Sequence, residues 1–181
     1  VLLLIRAFEE HAKVTSNTEL RIVGDGPLAA RLKEEVGRMD CSQRIVLTGL
    51  VSHTVMEDEF ARADVFTFPS LRDTSGAAVL EAMAMELPVI CFDHQGSAIM
   101  VSADCGLKVP ARSTNEAIQN LAQAMNELSK SRETRKALGK AGRIRVAGEY
   151  DWGSKVSRIN QYYEGLRPSK SPVESGGLAN D

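Results

Sequence analysis

The stretch Arg72–Asp93, RDTSGAAVLEAMAMELPVICFD, decides the fold and holds the candidate site. A loop of small residues leads into a helix rich in Ala, Met and Leu, and an apolar strand follows. Asp73 precedes the loop glycine, and Glu81 follows eight residues later inside the helix. Glu81 interrupts an apolar run on a helix that otherwise reads as buried throughout. Because a helix start attracts anions, two carboxylates beside it require an explanation.

Apolar strand patterns alternate with helical patterns along the whole chain. The strand segments read ELRIVG, RIVLTGLV, DVFTFP, PVICFD and LKVP, and their cores are almost continuously apolar. This order predicts a Rossmann-like, doubly wound α/β fold, in which helices flank a parallel sheet. From residue 167 the segment RPSKSPVESGGLAND is polar and rich in Pro, Ser and Gly. We therefore predict one domain over residues 1–166 and a disordered tail over 167–181.

The composition narrows the function classes. Lys and Arg number 22 against 24 Asp and Glu, so the whole chain has no basic field for nucleic acid. The VLLLI opening is too short to span a membrane. The three histidines lie far from one another in the sequence, which predicts no zinc site. Three cysteines without paired spacing indicate reduced thiols in a cytosolic protein: Cys41, Cys91 and Cys105.

The residues around the helix start predict a phosphate site. Gly76, Ala77 and Ala78 form the first turn, and their small side chains let a phosphate approach the backbone N–H groups. Glu81, one turn further, reaches past the phosphate to vicinal hydroxyls, while Asp73 lies on the other side. A diphosphate with a sugar at each end fits this pattern, which describes a nucleotide-sugar. The alternative is that each acid merely complements the helix dipole or caps the loop.

Four segments carry a family resemblance: LRIVGDGP, IVLTGLV, ADVFTFPSL and GAAVLEAMAMELPVI. Together they resemble the C-terminal domain of retaining GT-B glycosyltransferases of the glycogen-synthase-like and mannosyltransferase-like group, family 4. The resemblance covers roughly residues 1–166. It implies that Glu81 holds the nucleotide ribose and that Asp73 contacts the transferred sugar near its anomeric centre. The family has glutamate at the Asp73 position, so the shorter aspartate is a departure.

The resemblance assigns further positions to the donor site. Gly24 and Gly26 of GDGP border the donor pocket, and the main chain of Val51 meets the nucleobase. Ser75 stands where an aromatic residue is common and leaves more room over the sugar. A turn without a ligand is the alternative for the two glycines, and a strand-end core position is the alternative for Val51. Glu86 replaces a usual glycine and is interpreted as a solvent-facing residue at the helix end.

The reaction implied is transfer of a hexosyl group from a UDP-, GDP- or ADP-sugar, with retention and without a metal or cofactor. The acceptor, a glycan, lipid or small molecule, is not specified. The alternatives are a GT-B sugar-nucleotide epimerase and a non-catalytic nucleotide-sugar-binding module. We expect a cytoplasmic protein, with peripheral association at the inner face of the membrane as a further option.

The resemblance also implies that the acceptor domain and the first, central strand precede Val1. On that basis we expect a fragment of a longer protein, whose two unpaired strand edges make it weakly stable or self-associating. A broad apolar stripe is predicted on the last helix, where contact with an N-terminal domain and packing on the sheet are equal alternatives. Its members are Tyr150, Trp152, Val156, Ile159, Tyr163 and Leu166.

Overall fold

The computed structural model describes residues 1–72 and 76–166. Two predictions, the loop carrying Asp73 and Ser75 and the tail over 167–181, lie outside the described residues. The strands are β1 (Leu20–Val23), β2 (Ile45–Gly49), β3 (Phe66–Phe68), β4 (Val89–Phe92) and β5 (Gly106–Val109). The helices are α1 (Leu2–Ala12), α2 (Ala29–Gly37), α3 (His53–Arg62), α4 (Ala77–Ala84), α5 (Gln95–Met100), α6 (Thr114–Lys130), α7 (Arg132–Arg145) and α8 (Trp152–Leu166).

All the strand pairs are parallel, as predicted. In the described part of the chain they form two separate sheets, β1–β2 and β3–β4–β5. Leu20 pairs with Ile45 in the first sheet, and Val89 pairs with both Phe66 and Gly106 in the second. Because parallel neighbours share one carboxyl edge, the loops that follow these strands meet at the same edge of each sheet.

The core lies between these sheets and the helices that cover them. All four residues of β4 are fully buried, as expected of a strand with helices on both faces. Helix α1 contributes to two core clusters: Ala7 packs with Phe92 on one side, and Phe8 packs with Ile45 on the other. Its buried His11 is hydrogen-bonded through Nδ1 to Asn126 Oδ1 of α6, at 2.5 Å.

The end of the chain is more exposed than the rest. A π-helical turn at Val146–Tyr150 separates α7 from α8. Every residue of α8 from position 155 to 166 is exposed. The predicted apolar stripe is therefore exposed along α8, and only Tyr150 packs against the core.

Candidate functional site

Gly76 turns the chain from the third strand into α4. It is the N-cap of the helix and has a left-handed backbone, with φ at 44°. Its carbonyl accepts a hydrogen bond from Val79 N–H at 2.7 Å. A Cβ at this position would lie 3.3 Å from Met100 Sδ of α5 and would be strained at this φ. Glycine is therefore favoured here, and the start of α4 lies directly beside α5.

Helix α4 has one buried face and one face exposed to solvent. Val79, Ala82 and Met83 are fully buried, whereas Ala77 and Glu81, one turn apart, are both exposed. Since residues four apart lie on the same side of a helix, Glu81 is on the face that Ala77 presents to solvent. The expectation that α4 is buried throughout apart from Glu81 is wrong. Its solvent face also includes Ala84, and Met85 follows it at the end of the helix.

The loops after β1 and β2 are joined by glycines. Gly24 N–H donates to Gly49 O at 2.9 Å, and both residues have positive φ, 129° and 72°. Gly26 N–H donates to Asp25 Oδ1 at 2.7 Å, which holds the GDGP turn. Gly24 and Gly26 are both exposed at this edge. The role of Gly49 was not predicted from the sequence, although a glycine at a strand end is the signal that marks such a turn.

Val51 lies on the same edge as this glycine pair. It is half-buried between β2 and α3. The next residue, Ser52, caps α3 by accepting a hydrogen bond from Val55 N–H at 3.4 Å. The cap fixes the backbone next to Val51. The main-chain polar groups of Val51 itself are not used in capping the helix.

The loop after β4 contains a feature that the sequence did not reveal. Gln95, which opens α5, has φ at 54°, an uncommon conformation for a residue other than glycine. Ser97 Oγ donates to His94 O at 3.3 Å, and the Asp93 carboxylate is 3.8 Å from Lys108 Nζ. Gly76 and Gln95 thus give left-handed backbone turns beyond the ends of neighbouring strands. Such conformations are frequent at functional sites.

The candidate residues therefore fall into two groups. Gly24, Gly26 and Val51 lie at the carboxyl edge of the β1–β2 sheet. The first turn of α4 and Glu81 lie beyond the carboxyl edge of the β3–β4–β5 sheet. Ligands of open α/β sheets bind in the crevice outside such edges.

Possible metal ligands and thiols can be located in the described part of the chain. There, no group of three His, Cys, Asp or Glu side chains is placed to hold a metal ion. The three cysteines are free and buried. Burial raises the pKa of the Cys91 thiol to about 11, so it is protonated at neutral pH and is not a nucleophile.

Comparison with known families decides the class of protein. Residues 1–131 match the family Glycosyl transferases group 1. The chain belongs to this family. It is 30% identical over 145 residues to sulfoquinovosyl transferase SQD2 of Arabidopsis thaliana, covering 80% of this chain and 28% of that protein. It is 29% identical over 168 residues to a GDP-mannose-dependent phosphatidylinositol monomannoside mannosyltransferase of Corynebacterium glutamicum, covering 87% of this chain and 42% of that protein.

Solved structures of glycosyltransferases share the fold. Sucrose-phosphate synthase from Thermosynechococcus elongatus superposes with a TM-score of 0.73 at 25% identity, over 90% of this chain and 42% of that chain. HepE of Anabaena, solved in complex with UDP, superposes with a TM-score of 0.77 at 17% identity, over 91% and 45%. The fold is therefore that of a GT-B domain.

The chain spans less than half of the length of the relatives it matches. Across the described ranges, 1–72 and 76–166, no helix is both long and apolar enough to cross a membrane.

Proposed function

We propose that this chain is the donor-binding half of a glycosyltransferase that moves a sugar from a nucleoside-diphosphate sugar to an acceptor, with retention of configuration and without a metal. The observation that carries the proposal is the start of α4. There, a left-handed glycine and two alanines precede the exposed Glu81 on one helix face. Support comes from family membership, from the GDP-mannose dependence named for one relative, and from the UDP bound to HepE.

The diphosphate binds at the first turn of α4. A helix start presents N–H groups without intrahelical acceptors and a partial positive charge. Ala77 and Ala78 have short side chains, so a phosphate oxygen can reach the backbone. These fixed dipoles neutralise the leaving diphosphate as it gains charge, which is the role that a metal ion has in other transferases.

Glu81 binds the ribose of the donor. Its carboxylate lies one turn beyond the phosphate site on the same solvent face of the helix. A carboxylate accepts two hydrogen bonds from vicinal hydroxyls, as the ribose-binding acid of dinucleotide folds does. The nucleobase then extends towards the β1–β2 edge, where the main chain of Val51 and the turn containing Gly24 and Gly26 complete the pocket.

Asp73 acts on the transferred sugar. It precedes the phosphate-binding turn, so it orients the sugar and stabilises the positive charge that develops at the ring. The leaving phosphate accepts the proton of the acceptor hydroxyl. Because aspartate is one methylene shorter than glutamate, the sugar must lie closer to the loop, and Ser75 leaves room above it.

We place the reaction in the cytoplasm, with the acceptor site on the N-terminal half of a GT-B protein. The donor is a UDP-, GDP- or ADP-sugar. Buried, unpaired cysteines at positions 41, 91 and 105 agree with a reducing compartment. In its more specific form, this proposal places the protein at the inner face of the membrane as a peripheral protein.

Two separate variants of the full-length protein, Asp73→Asn and Asp73→Glu, test this role of Asp73. Loss of the carboxylate should reduce kcat by about 10²-fold while the donor Kd changes little, since the charge acts mainly in the transition state. Asp73→Glu should restore part of the lost rate. Equal losses of rate and donor affinity in Asp73→Asn would show that Asp73 only supports the loop.

The product separates the alternatives. A transferase yields a glycosylated acceptor whose anomeric configuration, read by NMR, matches that of the donor. An epimerase yields an isomerised sugar without an acceptor, and a binding module yields no product although it binds the nucleotide. Either of these last two results would contradict the proposed reaction.

A further inference from the structure

Helix α5 is too short to be stable by itself. It has six residues, Gln95–Met100, and so makes few of the internal hydrogen bonds that stabilise a helix. The carbonyls of its last turn lack partners within the helix, and Ser97 O instead accepts the N–H of Val101 at 2.9 Å. Contacts from other elements must therefore fix where α5 lies.

Two cations from other elements bind the remaining carbonyls of this turn. Lys108 of β5 donates through Nζ to Ala98 O at 3.3 Å. Arg145, at the end of α7, donates through Nε to Met100 O at 2.8 Å and through Nη2 to Ile99 O at 3.3 Å. Positive charges at the C-terminus of a helix also interact favourably with its dipole. The last four carbonyls of α5 are thus all hydrogen-bonded, and two of them depend on Arg145.

The guanidinium of Arg145 is itself held on several sides. Its Nη1 donates to Glu149 Oε1 at 2.9 Å, one turn further along the chain. Its Cζ lies 6.0 Å from the centroid of the Tyr150 ring, which packs against the core. Only 24% of the Arg145 side chain is exposed. A planar guanidinium with several fixed donors can hold two carbonyls in one geometry, whereas the single ammonium of a lysine is more flexible.

Met100, which Arg145 holds by its carbonyl, packs on the start of α4. Its side chain is buried, and a Cβ added to Gly76 would lie 3.3 Å from its Sδ and 3.5 Å from its Cε. The thioether therefore fills the space beside Gly76. Gly76 O also accepts the N–H of Val79 at 2.7 Å, which forms the turn that begins the helix. A shift of Met100 would loosen this turn, where α4 presents its N–H groups.

We propose that Arg145 is a positioning residue for the donor site and acts through Met100 on Gly76. It lies at the end of α7, outside both groups of candidate residues, and it acts on the backbone of α4 without contacting the nucleotide. A turn that is already ordered binds a diphosphate without the entropic cost of ordering it, so loss of Arg145 lowers the affinity for the donor. This inference rests on the proposed binding of a diphosphate at the start of α4.

Hydrogen exchange in the full-length protein, without nucleotide, tests the link between Arg145 and α4. The Val79 amide is hydrogen-bonded at the start of α4, and the Leu87 amide is hydrogen-bonded to the other end of the helix. Arg145→Gln should raise the ratio of the Val79 exchange rate to the Leu87 rate about tenfold, because only the start of the helix is released. Lys140→Gln removes one exposed positive charge from the same helix α7 and should leave the ratio unchanged. Arg145→Lys should restore part of the protection.

Titration with UDP, GDP and ADP connects this link to donor binding. Arg145→Gln should weaken binding of the nucleotide that the wild type binds about tenfold, whereas Lys140→Gln should bind as the wild type does. Met100→Ala should also weaken binding, and adding Arg145→Gln to it should cause little further loss, because both residues act on Gly76 by one route. Circular dichroism confirms that the variants are folded. If the cavity in Met100→Ala prevents folding, the comparison of Arg145→Gln with Lys140→Gln is sufficient.

Each of four results would overturn the inference. In Arg145→Gln, an unchanged ratio of the Val79 and Leu87 exchange rates would show that the residue contributes only to general stability. An unchanged nucleotide affinity in that variant, with binding by the wild type intact, would overturn this inference alone. Fully additive losses in the double variant would show that Arg145 does not act through Met100. Failure of the wild type to bind any of the three nucleotides would overturn the proposed donor site as well.

Discussion

At the scale of single residues, Glu86 is the clearest departure from what its position favours. It follows α4 with φ at 60°, the left-handed conformation that usually belongs to glycine at the end of a helix. Its carboxylate pairs with Arg143 at 3.1 Å, but both side chains are at least half exposed. Such a pair stabilises little, so Glu86 retains most of the backbone strain.

Glycine at this position should relieve that strain. We expect Glu86→Gly to be more stable to urea than Glu86→Ala by about 1 kcal/mol, because both lose the ion pair and only glycine accepts the left-handed backbone freely. Chemical denaturation of the two variants measures the difference directly. Equal midpoints would mean that the residue is not left-handed in solution.

At the scale of elements, α7 lies unusually close to the end of α4. A Cβ on Gly139 would lie 1.8 Å from the carbonyl oxygen of Glu86, a backbone atom that cannot move aside. A Cβ on Gly142, one turn further on the same buried face, would have Met83 Cγ as its nearest neighbour, at 3.5 Å. The contact between α4 and α7 therefore depends on Gly139 and not on Gly142.

Alanine at these two glycines should have opposite effects. Gly139→Ala should lower the free energy of unfolding by about 3 kcal/mol through the backbone clash. Gly142→Ala should raise it by up to about 1 kcal/mol, since alanine is the better helix former and fits without overlap. Thermal or urea unfolding of both variants provides the comparison. A stabilised Gly139→Ala would rule out this packing of α7 on α4.

An ion pair connects β1 with α3. Arg21 Nε and Nη2 donate to the two carboxylate oxygens of Glu59 at 2.6 and 2.8 Å, and the Glu59 side chain is only 10% exposed. The hydrogen bonds from Arg21 hold the pKa of the Glu59 carboxyl below its ordinary value of 4.5. A depressed pKa means that the folded state favours the charged carboxylate.

This pair should make stability depend on pH in the acid range. Its contribution is complete above pH 4.5 and is lost as the pH falls through the pKa of Glu59 in the folded protein. Glu59→Gln should therefore be less stable than the wild type by about 1 kcal/mol at pH 7, and the difference should close in acid. Glu57→Gln, exposed on the same helix, is the control and should change little. If the stability difference between Glu59→Gln and the wild type stayed constant down to pH 3, the lower stability of the variant would be due to packing and not to the ion pair.

Much of the element order could be predicted from the sequence. The five strands lie where the apolar runs placed them, and α3 and α6 are capped by serines, a residue favoured at this position: Ser52 and Ser113. These features are local, since apolar patterning and cap chemistry act within a few residues. Proline is favoured at the first position of a helix, which Pro27 would suggest for α2, but the helix begins at Ala29, whose N–H donates to Gly26 O in the preceding turn.

Other features depend on tertiary contacts that no local pattern contains. The split into two sheets depends on which strand edges meet, and the left-handed Gln95 depends on how α5 packs. The sequence pattern gives no break between residues 131 and 150, whereas the chain changes there from α7 to a π-helical turn at Val146. The roles of Asp73 and Glu81 rest on chemistry and family resemblance and stay predictions.

At the scale of the whole molecule, the proposed donor site spans both sheets. In that proposal the first turn of α4 holds the phosphate, and the edge formed by β1 and β2 lies on the nucleobase side. The proposal therefore requires both sheets to hold a nucleotide-sugar. Substitution of one exposed residue that contacts the nucleotide, such as Glu81, should therefore weaken nucleotide binding without changing the fold.

Calorimetric titration with UDP, GDP and ADP tests this central claim most directly. The wild type should bind one of the three, and Glu81→Gln should weaken that binding about tenfold or more by removing the acceptor for the ribose hydroxyls. Glu127→Gln, an exposed glutamate on α6, is the matched control and should bind as the wild type does. Failure of all three nucleotides to bind, or an unchanged affinity in Glu81→Gln, would contradict the account.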